Sequence, residues 1–279
     1  MKLYRTFLAC VAAVALVASC HPALEELHET PVINGAVGSL QGNVDRPAVE
    51  GKTCPVAIIA HGLTGHRSEA HLMALADSLF AHGIAVVRFD FNGHGESEGE
   101  FVNMTLDNEV QDLLKIYDYV ASLPWVDNTR IALAGHSQGG LVSGVVAGDL
   151  GAEKVKCLLL LAPAACIHTM ASSGSMFGQP LDAELPDYIE FWGGRHLGKN
   201  YLLSARDMDV FGRTAKYEGP AYVLQGTNDS PELIADAKKY PTVMPNCEYL
   251  PLYGLTHCFP EDLEFVGGVG SDFIISHLK

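Results

Sequence analysis

From Pro55 onwards the chain alternates short unbroken apolar runs with longer stretches whose apolar positions recur every three or four residues. "VAIIA" (56–60) reads as a strand, "SEAHLMALADSLFAHG" (68–83) as a helix stopped by glycine, and "IAVVRFD" (84–90) as a strand again. The rhythm continues with a helix over about Leu106 to Ser122, the strand "IALAG", a helix over about Gln138 to Asp149 and the strand "VKCLLLLAP". Upstream, the first strands fall near Val32 to Val44. Strands apolar at every position are buried on both faces, so the pattern predicts an α/β fold: a mainly parallel, doubly wound sheet. Between Pro163 and about Tyr217 the period is lost, which predicts an insertion after the sixth strand, over the carboxyl edge of the sheet. Then "AYVLQG", a helix over 231–240, "CEYLPL" and a closing helix over 260–279 restore it.

The first twenty residues are patterned differently. Lys2 and Arg5 precede an apolar run from Phe7 to Val17 and then small residues before Cys20. That is the layout of a secretory signal, and "VASC" resembles a bacterial lipobox, in which cleavage leaves Cys20 as the lipidated first residue. The expected organisation is a signal at 1–19, a polar, proline-bounded tether at 20–31 and one domain at 32–279. The chain is then exported and lipid-anchored in the cell envelope, with membrane contact only through the anchor.

Composition narrows the partners. The 279 residues are 48% hydrophobic and 18% charged, enough for a large core, with a formal charge of −15 and no run of Lys or Arg. The basic footprint of nucleic-acid binding is missing. Of seven cysteines, Cys10 lies in the signal and Cys20 is the expected lipid site, leaving Cys54, Cys157, Cys166, Cys247 and Cys258 with no C-x-x-C pair among them. Buried free thiols are expected. His61, His66 and His71 lack the H-E-x-x-H spacing that puts two ligands on one helix face, so neither metal nor cofactor is expected.

Chemistry concentrates at "GHSQGG". A serine hydroxyl is a poor nucleophile unless it is held in the open beside a base. G-x-S-x-G between a strand and a helix supplies that exposure through a sharp turn, with Gly135 and Gly139 giving clearance around Ser137. A base and an orienting acid follow at strand ends: Asp229 in "QGTND" and His257 in "GLTHCF". His257 is positioned to take the Ser137 proton and Asp229 to fix the imidazole tautomer. Asp262 is a fallback acid, poorly placed in or near the final helix. An oxyanion needs two donors, expected from the backbone N–H groups of Gln138 and of Leu63 in "HGLTG". His61 and Gly62 are expected to shape that loop, and Asp90 to brace the glycine-rich stretch "DFNGHGESEG" (90–99).

Together, "HGLTGH", "FDFNGHGESEG", "GHSQGG", "LLLLAPAA" and "GLTHCF" resemble the bacterial cinnamoyl (feruloyl) esterases of the α/β-hydrolase superfamily, over nearly all of residues 32–279. The resemblance implies the α/β-hydrolase fold with the insertion as a lid over an acyl pocket. It implies a serine carboxylic ester hydrolase that releases hydroxycinnamic acids from small plant-derived esters through an acyl-enzyme on Ser137. It also implies the triad Ser137, Asp229 and His257, with Leu63 and Gln138 as oxyanion donors. In such esterases an acid and a tyrosine of the lid hold the ring hydroxyls; Tyr201 is the candidate tyrosine, and Met170 stands about where the acid is expected. Trp192 within "FWGG", with Met176 and Phe177, is expected to wall an aromatic pocket. The same scaffold also serves lipases, thioesterases and serine aminopeptidases, and a non-catalytic surface binding protein is the reading from another class.

Overall fold

The structure, a computed structural model, describes residues 26–48 and 52–279. The expected leader, Cys20 and the start of the tether lie outside the described residues. In chain order the elements are β1 (Glu26–Glu29), β2 (Val32–Asn34), β3 (Ser39–Pro47), β4 (Cys54–Ala60), α1 (Ala70–Ala81), β5 (Ala85–Phe89), α2 (Leu106–Ser122), β6 (Val126–His136), α3 (Gln138–Leu150) and β7 (Cys157–Leu161). Then follow α4 (Cys166–Ser172), β8 (Ser175–Met176), β9 (Gln179–Pro180), β10 (Tyr188–Phe191), β11 (Arg195–Gly198), α5 (Lys199–Asp207) and α6 (Val210–Thr214). The chain closes with β12 (Ala221–Gly226), α7 (Pro231–Ala237), α8 (Tyr240–Val243), β13 (Cys247–Leu252) and α9 (Leu263–Leu278).

The main sheet runs β1-β3-β5-β4-β6-β7-β12-β13, with β2 also on β3. Pairing is parallel from β5 to β13 and antiparallel at β3 with β5, β1 and β2. Every residue of β4, β5 and β7 is buried, and the pleat sorts them by parity. Val56, Ile58, Leu158 and Leu160 join one core with α2 and α3, whereas Ala57, Ile59, Leu159 and Leu161 join a second with α1 and α9. Continuous apolar runs thus arise because each strand serves two cores. Helix α3 is buried from Gln138 to Gly148, so it shows no one-sided apolar stripe.

Several expected boundaries change. The second half of the expected tether is strand: Glu26–Glu29 pairs antiparallel with Val44–Pro47, helped by Arg46 to Glu29 and His28 to Asp45 contacts at 2.8 and 2.7 Å. Strand β6 begins at Val126, ahead of the apolar run, because its pairing with β4 jumps from Val126 to Ile131 past four solvent-leaning residues. The helix expected over 231–240 divides in two, since Pro241 has no N–H to continue the ladder. Within the insertion, β8–β9 and β10–β11 are hairpins too short to show any period. The first closes on Phe177 and Gly178, at φ 49° and 78°, the two positive-φ positions of a tight hairpin turn.

Candidate active site

Ser137 stands between β6 and α3 at φ 55°, ψ −120°, a conformation that non-glycine residues adopt only under constraint. The constraint is visible in the bonds: Ser137 N–H donates to Leu161 O at 2.9 Å, and Ala164 N–H donates to Ser137 O at 2.9 Å. Both flanking glycines are sterically required. A Cβ on Gly135 would lie 2.2 Å from the carbonyl oxygen of Gly139, and one on Gly139 would lie 2.2 Å from that of His61.

Three side chains from separate loops meet there. His257 Nε2 is 2.9 Å from Ser137 Oγ, and His257 Nδ1 is 2.8 Å from Asp229 Oδ2. Asp229, with a side chain only 3% exposed, also accepts from Gln225 Nε2 at 2.8 Å and Ser230 N–H at 2.7 Å. An ionised carboxylate only accepts, so Nδ1 carries the imidazole proton and Nε2 offers its lone pair to the serine hydroxyl. Asp262 is committed elsewhere, capping α9 by accepting from Phe265 N–H at 3.1 Å. His136, unremarked in the sequence beyond its place before the nucleophile, donates from Nε2 to the carbonyl of His257 at 2.9 Å. It holds the main chain of the base. Burial pushes its pKa well below the ordinary histidine value, helped by the charges of His71 and His257.

The loop after β4 lies against this corner: a Cβ on Gly62 would be 2.9 Å from Ser137 Cβ. Neither Leu63 N–H nor Gln138 N–H has an acceptor among the described residues, the latter because it opens a helix. The loop is braced from below. His61 accepts from Phe91 N–H at Nε2 (2.9 Å) and donates from Nδ1 to Gly62 O (2.8 Å), a fully used structural histidine. Asp90, buried completely, accepts from Arg67 N–H at 2.7 Å and Glu96 N–H at 2.9 Å and pairs with the Arg67 guanidinium.

Under the turn the Gln138 side chain is gripped from two sides. Its Nε2 donates to Glu109 Oε1 at 2.8 Å, and Tyr201 O–H donates to its Oε1 at 2.7 Å. Burial, with a smaller push from Asp112, raises the Glu109 pKa to about 8, against the hydrogen bond from Gln138. Tyr201 therefore departs from its expected role: it is 0% exposed, with its hydroxyl spent on Gln138, and has no face toward a ligand. Met176 is likewise fully buried in the core.

Ser137, His257 and Leu63 open onto a cavity of about 520 Å³. Ile167, Met170, Phe177, Phe191, Trp192 and Leu233 wall it, with Phe177 and Phe191 ring centroids 4.6 Å apart. Trp192 is 75% exposed, at the rim. Cys54, Cys157, Cys166, Cys247 and Cys258 are all free thiols.

A nucleophile on a strand-to-helix turn at the carboxyl edge of a mainly parallel sheet is the arrangement of a serine hydrolase, and the chain belongs to the α/β-hydrolase superfamily. A family profile described as serine aminopeptidase, S33, matches residues 51–189. Est1E from Butyrivibrio proteoclasticus, solved with ferulic acid bound, is 32% identical with a TM-score of 0.83, covering 88% of this chain and 98% of that one. Esterase FrsA of Yersinia pestis is 28% identical over 146 residues, 52% of this chain and 33% of that protein. An uncharacterized protein of the traX-finO intergenic region of Escherichia coli is 30% identical over 105 residues, 38% of this chain and 36% of that protein. The chain thus spans about a third of the length of these curated relatives.

Proposed function

We propose that this chain hydrolyses esters of hydroxycinnamic acids. The observation that carries the reading is the Ser137–His257–Asp229 hydrogen-bonded chain opening onto an aromatic-walled cavity. His257 Nε2 takes the Ser137 proton as Oγ attacks the ester carbonyl. Leu63 and Gln138 N–H groups receive the developing oxyanion, and the protonated imidazole returns its proton to the leaving alcohol. Water then repeats the sequence on the acyl-enzyme: His257 takes its proton, and the acid leaves as Ser137 is reprotonated. The insertion roofs the acyl site, with Phe177, Phe191 and Trp192 offering flat apolar surface to a conjugated ring. The ferulic acid bound to Est1E supports the same acyl class.

The test is a comparison of kcat/KM for methyl ferulate, a short acyl ester, an acyl thioester and an aminoacyl anilide. Methyl ferulate is expected to lead, and Ser137→Ala to lower its turnover by about 10⁴ or more. The aminopeptidase reading draws on the family profile and on Glu232, a carboxylate on the cavity wall able to hold a substrate ammonium. It prevails if the anilide leads and Glu232→Gln abolishes that lead.

We also propose export and lipid attachment at Cys20. Cys20→Ala is expected to move the protein from the membrane fraction to the soluble one; retention in the membrane would reject the anchor.

A further inference from the structure

Behind His257 three donor side chains converge from two distant parts of the chain. Glu69 precedes α1, His71 lies in its first turn, and His136 ends β6. One ligand atom from each falls within 4.8 Å of the others, and Glu69 Oε2 is 3.9 Å from His71 Nε2. His71 is 6% exposed and His136 3%. Glu69 Oε2, His71 Nε2 and His136 Nδ1 are all buried, and none has a hydrogen-bond partner among the described residues. Buried polar atoms are normally satisfied, so three orphans facing one point ask for a shared occupant.

The donor chemistry says which. Nε2 of His136 gives its proton to the carbonyl of His257, which only accepts, so Nδ1 presents an unshared pair. An ionised Glu69 oxygen also only accepts. Two acceptors and a second imidazole around one point form a cation site, and two imidazoles with a carboxylate suit zinc-like ions in preference to Mg²⁺ or Ca²⁺. We propose that Glu69, His71 and His136 bind one divalent transition ion of the zinc class, with solvent in the fourth position. Zinc bonds of about 2.0–2.1 Å put tetrahedral donors roughly 3.4 Å apart. The group therefore needs to draw in only by side-chain adjustment. The expectation of no metal rested on the spacing of His61, His66 and His71; here only His71 takes part, and His136 arrives from 65 residues on. The ion would hold His136 on one ring nitrogen while the other holds the main chain of His257, tying occupancy to the placement of that residue. This site stands apart from the choice of ester.

The experiment uses the full-length chain purified without a histidine tag, stripped with chelator and titrated with Co²⁺ while visible absorption is followed. The expected result is one Co²⁺ per chain with the strong absorption of a tetrahedral site, displaced by Zn²⁺. Because the chain holds twelve histidines, two variants define the locus. The near-isosteric Glu69→Gln and the ligand-deleting His71→Ala, each shown folded by circular dichroism, should weaken Co²⁺ binding by about tenfold or more. Failure of the parent chain to bind stoichiometrically would overturn the proposal and leave a bridging water as the occupant. Binding undiminished in a folded Glu69→Gln variant would overturn it too, by moving the ion elsewhere.

Discussion

Gln138 Nε2 donates to Glu109 Oε1 at 2.8 Å, a bond between the first residue of α3 and a carboxyl 29 positions earlier in the chain, on α2. With Tyr201 on the other end of the same amide, the side chain is fixed, and with it the start of the helix that follows Ser137. Glu109 is protonated in the fold at neutral pH, its pKa raised to about 8 by burial. A carboxyl raised from its ordinary 4.5 binds more protons folded than unfolded between about pH 4.5 and 8, so stability falls as pH rises through that window. Glu109→Gln keeps the acceptor and removes the titration. Urea unfolding at pH 5, 6.5 and 8 should show the parent losing on the order of a few kcal/mol and the variant losing distinctly less.

Ser137→Gly should separate stability from activity. Glycine adopts φ 55° freely, so relief of the turn should raise stability by about 1 kcal/mol, seen as a higher urea midpoint, while ester turnover is lost. Ser137→Ala should lose turnover without that gain, since alanine meets the same backbone constraint.

Asp229→Asn should cost about 10⁴ in kcat with KM little changed. The asparagine amide can donate to His257 Nδ1, favouring the tautomer that points a proton at Ser137 instead of a lone pair. Steady-state kinetics on a soluble ester measures this, and a loss below about tenfold would contradict the orienting role.

At the cavity rim, Trp192→Ala should act on binding alone. The residue is 75% exposed, so stability should stay within about 0.5 kcal/mol, while KM for an aromatic acyl ester rises more than KM for an acetyl ester.

Gly139→Ala should disturb both halves of the site. Its Cβ would press on the backbone carbonyl of His61 at 2.2 Å, an atom that no side-chain rotation can move aside. The expected result is a destabilisation of about 1–3 kcal/mol in urea unfolding, with low residual turnover in the folded fraction.

What the sequence disclosed follows the same physics. The strands from β4 to β7 were legible because burial on two faces writes an unbroken apolar run. The Ser137 corner was legible because two glycines mark a steric demand, and the positions of Asp229 and His257 at strand ends were legible from chain order. Strand β1 was hidden because an edge strand of "ELHE" is half exposed and carries charge at three of four positions when His28 is protonated. The hairpins of the insertion were hidden because two to four residues carry no period. Tyr201 read as a ligand contact because the resemblance to the cinnamoyl esterases implies a ring-binding tyrosine in the insertion; its partner, Gln138, lies 63 residues away and only folding brings them together. His136 left no mark beyond the variable position of G-x-S.

The insertion has two kinds of tenant. Residues 167–192 supply all three aromatic walls of the cavity, Phe177, Phe191 and Trp192, and touch none of the hydrogen bonds linking Ser137, His257 and Asp229. Helix α5, by contrast, reaches through Tyr201 to the helix that begins beside the nucleophile. A designer seeking a new acyl preference would therefore exchange the first part as a cassette and leave the second in place, since transplanting α5 as well would loosen the proton-handling machinery along with the walls.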